Sequence, residues 1–151
     1  MIFTKENNGS IHQQMDAKGR IFIPAKVRDQ IGSPMFVTLN QDQGYLSVYS
    51  KPRFEEIVDQ FSKIPMTNAK IRHARRQLIG EALECELDGQ GRISVSSELW
   101  KRIGAEPSDE ICIYQMGRDA LELCTKKYYD ELNESQEQES IDLDGYEITG
   151  L

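Results

Sequence analysis

The chain has 151 residues, 38% of them hydrophobic and 28% charged, with a formal net charge of −7, a composition that suits one soluble domain or two small ones. It contains no apolar run near the roughly 20 residues of a membrane span, and its start, MIFTKENNGS, lacks the layout of a secretory signal. Three cysteines without a CxxC spacing (Cys85, Cys112, Cys124) argue against a disulfide framework or a zinc site and for a reducing cytoplasm, and two histidines supply little for a His-based catalytic centre.

A short alternating strand is expected around residues 11 to 15, followed by a turn at Asp16-Ala-Lys-Gly and a second strand from Arg20 to Ile23. Pro24 then opens a short helix, being tolerated in a first helical turn. Val27 and Ile31 give this helix an i, i+4 apolar stripe, and Gly32 is its stop. Two strands follow, Met35 to Leu39 and Tyr45 to Tyr49, around a hairpin turn at Gln41 to Gly44. A helix from about Pro52 carries Phe54, Ile57, Val58 and Phe61 at i, i+3, i+4, i+7. Residues 62–80 read as a linker helix capped by Thr67 or Asn68, with Ile71, Ala74 and Leu78 on one face and Lys70, Arg72, Arg75 and Arg76 on the other.

From residue 81 the pattern repeats. DAKGRIFI at 16–23 aligns with DGQGRISV at 88–95 at an offset of 72, and Val27, Ile31 and Gly32 fall on Leu99, Ile103 and Gly104. Three extra residues enter near Ala105 to Ser108; Phe36-Val-Thr-Leu then matches Ile111-Cys-Ile-Tyr, and KPRFEEI from Lys51 matches KKYYDEL from Lys126, at an offset of 75. The last helix fades in the second copy, where Asn133 and Gln136 replace apolar positions. The reading is a first module at 1–61, the linker helix at 62–80, a second module at 81–132, and an acidic tail at 133–151, read as disordered, with six Asp/Glu and no Lys or Arg. A module of this size buries too little apolar surface to fold alone, so the two are expected to pair as a pseudo-dimer around one core. The fold class is α+β, mainly β.

The net charge conceals an asymmetry: residues 1–80 carry +5 and residues 81–151 carry −12. Phosphate responds to a local basic surface rather than to the average. In Asp16-Ala-Lys-Gly-Arg20 and Asp88-Gly-Gln-Gly-Arg92, Gly at the fourth position permits positive φ, and Asp at the first accepts from backbone N–H groups of the turn. The same carboxylate lies within reach of the Arg four residues on. Asp16, Asp88 and Gly91 are thus turn-structuring residues. Lys18, Arg20 and Arg92 are candidates for DNA binding, because Arg offers paired donors to guanine O6 and N7 or clamps a phosphate, and Lys suits a phosphate. The alternative is that Asp16–Arg20 and Asp88–Arg92 are structural salt bridges that stabilise the hairpins. Lys26 and Arg28 add charge around the first turn, where the second copy has Glu98 and Trp100. Trp100, Tyr128 and Tyr129 read as core or interface, the three cysteines as buried small hydrophobes, and His12 and His73 as surface residues.

The pattern DxxGRIxIPaxxR…G, followed by TNa…RR…GeAxECELDxxGRI, resembles the MraZ family of tandem SpoVT-AbrB-type proteins over roughly residues 1 to 132. The resemblance implies a swapped-hairpin β-barrel in which the tandem copies mimic an AbrB-like dimer. It implies a transcriptional regulator that assembles into a ring and binds short, G-containing direct repeats upstream of its own gene, at the head of a division and cell-wall cluster. Lys18, Gly19 and Arg20 match the family's DNA-contacting motif, and Arg92 matches its counterpart. The second copy departs from the pattern at Ser94-Val-Ser-Ser, where the family has Ile-x-Ile-Pro. No cofactor, metal, membrane or small-molecule substrate is expected, and the location expected is the cytoplasm at the nucleoid. The alternative is an AbrB-like antitoxin or interaction module whose tail wraps a partner. An enzyme has only Glu84, Glu86 and Asp88 to draw on, which alternate along a strand as a solvated face.

Overall fold

A computed structural model of the chain describes residues 10–135 and 143–149. The first copy supplies β1 (Ser10–Gln14), β2 (Arg20–Phe22), α1 (Ala25–Ile31), β3 (Met35–Leu39), β4 (Leu46–Ser50) and α2 (Lys51–Ser62). Next comes α3 (Ala69–Arg75), continued by a π-helical turn at Arg76–Gly80. The second copy supplies β5 (Leu83–Cys85), β6 (Arg92–Ser94), α4 (Ser97–Arg102), β7 (Glu110–Gln115), β8 (Ala120–Thr125) and α5 (Lys126–Ser135). The fold is mixed α and β and mainly sheet. No helix among the described residues is long and apolar enough to cross a membrane.

Local chemistry accounts for the helix ends. Ser50 Oγ accepts from the Arg53 N–H at the start of α2, and Ser96 Oγ accepts from the Leu99 N–H at the start of α4. Of Thr67 and Asn68, it is Asn68 that caps α3, accepting from the Lys70 N–H at 2.7 Å. The apolar stripe of α2 buries Phe54, which stacks on Phe36 of β3 with ring centroids 4.6 Å apart.

The strands are exchanged between copies. β1 pairs with β7 and β5 with β3; β4 pairs with β8, and β2 with β6. Two hairpins, β3–β4 and β7–β8, are internal to their own copies. The result is a six-stranded antiparallel sheet in the order β1-β7-β8-β4-β3-β5, with the β2–β6 ladder beside it. That sheet is open, with β1 and β5 at its edges, so its hydrogen bonding does not close a barrel. One apolar cluster draws on both copies, including Met15, Ile21, Val37 and Val48 from the first and Ile93, Leu99, Ile113 and Leu121 from the second.

The pairing corrects the repeat alignment by one residue. Ile11 faces Ile113 in β1–β7, and its counterpart Leu83 faces Val37 in β5–β3. Val37 is therefore the equivalent of Ile113, an offset of 76, and four residues rather than three enter before β7. Burial gives the reason: Met35, Val37 and Leu39 alternate inward as Ile111 and Ile113 do, whereas Phe36 is only half-buried and lies against α2. A slip of one residue turns every side chain to the other face.

Two further expectations change. The last helix runs on through Asn133 to Ser135 instead of fading. His12, expected at the surface, has a side chain only 7% exposed, its Nδ1 3.4 Å from Glu110 and its ring edge-on to Tyr129 at 5.2 Å. Residues 143–149 of the acidic tail are exposed and carry no regular secondary structure, while 136–142 and 150–151 lie outside the described residues.

Candidate nucleic-acid interface

Each DxxGR turn is organised by its own aspartate. In the first, Asp16 Oδ1 accepts from the N–H groups of Lys18 and Arg20, both at 2.9 Å, while Oδ2 accepts from Arg20 Nε at 2.6 Å. In the second, Asp88 Oδ1 accepts from Gln90 and Arg92 N–H, again at 2.9 Å, and Oδ2 from Arg92 Nε at 2.8 Å. Backbone bonds close both loops: Asp16 N–H to Arg20 O and Gly19 N–H to Asp16 O, with Asp88, Arg92 and Gly91 repeating the pattern. Gly19 at φ +80° and Gly91 at φ +82° occupy the left-handed region that these closures require.

The β2–β6 ladder brings the two turns together. Ile21 faces Ile93 at its centre, Arg20 faces Ser94, and Phe22 faces Arg92. Arg92 Nη1 thereby approaches Asp16 Oδ2 at 3.7 Å, so both guanidinium groups converge on one carboxylate. Their side chains keep 28% and 26% exposure. Among the described residues, the bonds holding Arg20 use Nε, which leaves its two terminal nitrogens as donors. Lys18 is exposed at the tip of the first turn and Lys26 on α1, while Gln90 takes the place of Lys18 in the second turn.

Arg28 is placed differently. Its guanidinium lies 5.1 Å from the Phe22 ring centroid and covers Gly91, where a Cβ would collide with Nη1. It therefore packs against the second turn. Residue type alone assigns Trp100 to the core or an interface and does not reveal what it does there. Trp100 is 3% exposed, and its Nε1–H donates to the Gly19 carbonyl at 2.9 Å. A cleft of about 460 Å³ opens beside it, lined by Lys18, Gly19 and Met15 from the first turn and by Lys101 and Pro107 from the second copy. The only signal available in sequence is the equivalence of positions 28 and 100.

The aspartates make the turns sensitive to acid. Asp16 is held down to about 2 from an ordinary value of 3.8, first by the Arg20 N–H, then by the Arg20 guanidinium and the Lys18 N–H, against an opposing contribution from burial. Asp88 is lowered as well, first by the Arg92 N–H. A carboxyl depressed in the folded state supports it fully above the unfolded value and loses that support as pH falls through the folded one. The first turn should therefore hold above about pH 4 and open between about pH 4 and 2. Following the Lys18 and Arg20 amide resonances through an acid titration checks this; a turn already loosened near pH 6 would contradict it.

Other chemistry is thinly represented. No group of three or more His, Cys, Asp or Glu side chains among the described residues could hold a metal ion. The three cysteines are buried and free. Burial raises the Cys85 thiol to about 11, and contact with the Cys124 sulfur together with burial pushes Cys112 up. Glu84 and Glu86 are exposed on and beside β5.

A model of the family described as "MraZ protein, putative antitoxin-like" matches the chain twice, over residues 8–77 and 78–145. A Transcriptional regulator MraZ of Lactobacillus delbrueckii subsp. bulgaricus is 34% identical over 144 residues, covering 93% of this chain and 98% of the relative. One from Lactobacillus helveticus is 32% identical over 135 residues, with 89% and 92% covered. One from Halothermothrix orenii is 35% identical over 134 residues, with 86% and 91% covered.

Proposed function

Because the chain belongs to the MraZ family, we propose that it is a transcriptional regulator that binds DNA sequence-specifically, reading short direct repeats through its DxxGR turns as a ring-shaped homo-oligomer. The observation that carries this reading is the pair of rigid turns joined along β2–β6, with Arg20 and Arg92 half-exposed and Lys18 exposed at the tip. A guanidinium already held at Nε by a carboxylate loses little freedom when its terminal nitrogens bond a guanine edge. Lys18 supplies phosphate contact, as do Lys26 and, from its seat over Gly91, Arg28. Asp16, Asp88 and Gly91 keep the turns in shape. The modules at 1–61 and 81–132 act as the two halves of one reading head, joined by 62–80.

One head makes few base contacts, so affinity must come from several heads on one DNA. Identical heads in a ring raise effective concentration when the sites recur at about one helical turn. The half-exposed Ile57, Val58 and Phe61 of α2, with Ile64 and Met116 exposed nearby in sequence to α2 and β7, favour such assembly. The target in this reading is the region upstream of the protein's own gene, at the head of a division and cell-wall cluster, and the place of action is the nucleoid in the cytoplasm.

Selection of bound duplexes from a random pool tests the proposal. Short G-containing repeats spaced about one DNA turn apart should emerge, and affinity for them should fall steeply with added salt. Recovery of no periodic motif would overturn it. The second reading, an antitoxin-like interaction module, is favoured by the exposed Leu143, Tyr146 and Ile148 on the acidic tail; a defined complex with a small basic partner would support it.

A further inference from the structure

We propose that Trp100 is a positioning residue for the first DxxGR turn, holding the reading loop of one copy from a helix of the other. The inference rests on the reading that this loop contacts DNA. Trp100 stands at the end of an unbroken series of bonded groups. Its Nε1–H donates to Gly19 O at 2.9 Å, Val95 N–H donates to the same carbonyl at 3.3 Å, and Gly19 directly precedes Arg20. A Cβ on Gly19 would come within 3.2 Å of Val95 O and 3.3 Å of Trp100 Nε1, so the loop backbone is seated closely on the indole edge. An indole N–H that is buried needs a partner, and this one has taken a carbonyl in the turn itself.

Pseudo-symmetry makes the comparison internal. Arg28 occupies the position of Trp100 and covers Gly91, the position of Gly19. The strands leading into the two turns differ in the same sense. Before the first, Met15 N–H donates to Asp109 O at 2.9 Å and Gln14 Nε2 to Ser108 O at 2.8 Å, the latter among the residues inserted only in the second copy. Before the second, Leu87 N–H donates to the Ser33 hydroxyl, at 3.2 Å. Backbone bonds hold both turns, since Ile23 N–H donates to Gly91 O at 2.9 Å as Val95 N–H does to Gly19 O. The difference lies in the buried indole and the Asp109 carbonyl on the first side, against a half-buried arginine and a hydroxyl on the second. This asymmetry makes the first turn the preorganised reader, since preorganisation lowers the ordering cost of binding.

The test compares wild type, Trp100→Phe, Trp100→Arg, Arg28→Ala and Arg20→Ala in the full chain. Readouts are amide exchange in the free protein and affinity for a repeat duplex selected from a random pool, with a scrambled duplex of equal length as control. Trp100→Phe keeps an aromatic ring and removes the donor. It should speed exchange of the Lys18, Gly19 and Arg20 amides and weaken binding to the selected duplex about three- to tenfold. Binding to the scrambled duplex and the salt slope should not move, since every phosphate contact remains. Trp100→Arg gives the first turn the residue type that covers Gly91 in the second, and should leave exchange at 16–20 no slower than exchange at 88–92 in the wild type. Arg28→Ala should release residues 88–92 and leave 16–20 protected. Unchanged exchange at 16–20 in Trp100→Phe overturns the proposal, as does a parallel loss on both duplexes, which marks a merely structural role. If Arg20→Ala weakens specific binding while Trp100→Phe does not, only the positioning role fails; if Arg20→Ala binds as wild type, the DNA reading itself fails.

Discussion

Arg20→Ala is expected to abolish retardation of repeat-bearing DNA while leaving fold and assembly unchanged. The fold survives because Asp16 is satisfied chiefly by backbone: its Oδ1 keeps the Lys18 and Arg20 N–H groups, which no side-chain truncation removes. The ion pair that goes with the guanidinium is part-exposed, and such pairs contribute about 0–1 kcal/mol. The effect on DNA binding is larger. A bidentate arginine–guanine pair is worth about 1–3 kcal/mol of discrimination, and a multivalent assembly forfeits that amount at every engaged head. Even tenfold per head, compounded over a few heads, takes specific binding below the non-specific background. Gel retardation on selected repeats, with light scattering to confirm the oligomer, measures both halves of the expectation. A variant that shifts the repeats as wild type does removes Arg20 from the interface. Arg92→Ala, in a turn lacking the neighbouring lysine, should cost less.

Ile93→Ala is expected to destabilise the protein by about 2–5 kcal/mol, a large part of the roughly 5–15 kcal/mol that holds a domain of this size together. Ile93 and Ile21 are fully buried and face each other at the centre of the β2–β6 ladder, one of the four ladders that join the two copies. The cluster around them mixes side chains from both copies, so neither can repack alone around the void. Denaturant unfolding should show one transition displaced as a whole, because strands exchanged between copies leave no half that melts by itself. Two separate transitions, or a loss under about 1 kcal/mol, would contradict a shared core. Amide exchange on the same variant should show the DxxGR turns loosening with global unfolding, since both hang from this ladder.

Features settled within a few residues of chain are legible in the order of amino acids. Asp16, Lys18, Gly19 and Arg20 form their turn with partners at most four positions away, so spacing alone specifies it. The same holds for the helix caps and for the internal repeat, which announces two copies. Whatever depends on distant partners emerges only in three dimensions. Trp100 meets Gly19 across 81 positions, and Arg28 crosses to Gly91, so two equivalent positions take unequal tasks that neither residue's neighbours reveal. The register of β3 against β7 also escapes alignment, because similarity of residue type fits equally well one step along, and only burial on one face fixes which step is taken. His12 is misread for a related reason: a polar residue near the start of a strand looks solvent-facing until the Tyr129 ring, brought in from a helix in the other copy, covers it. Local hydrogen bonds are encoded by adjacency; faces, registers and cross-copy supports are encoded by the shared core, which exists only once both copies have folded on each other.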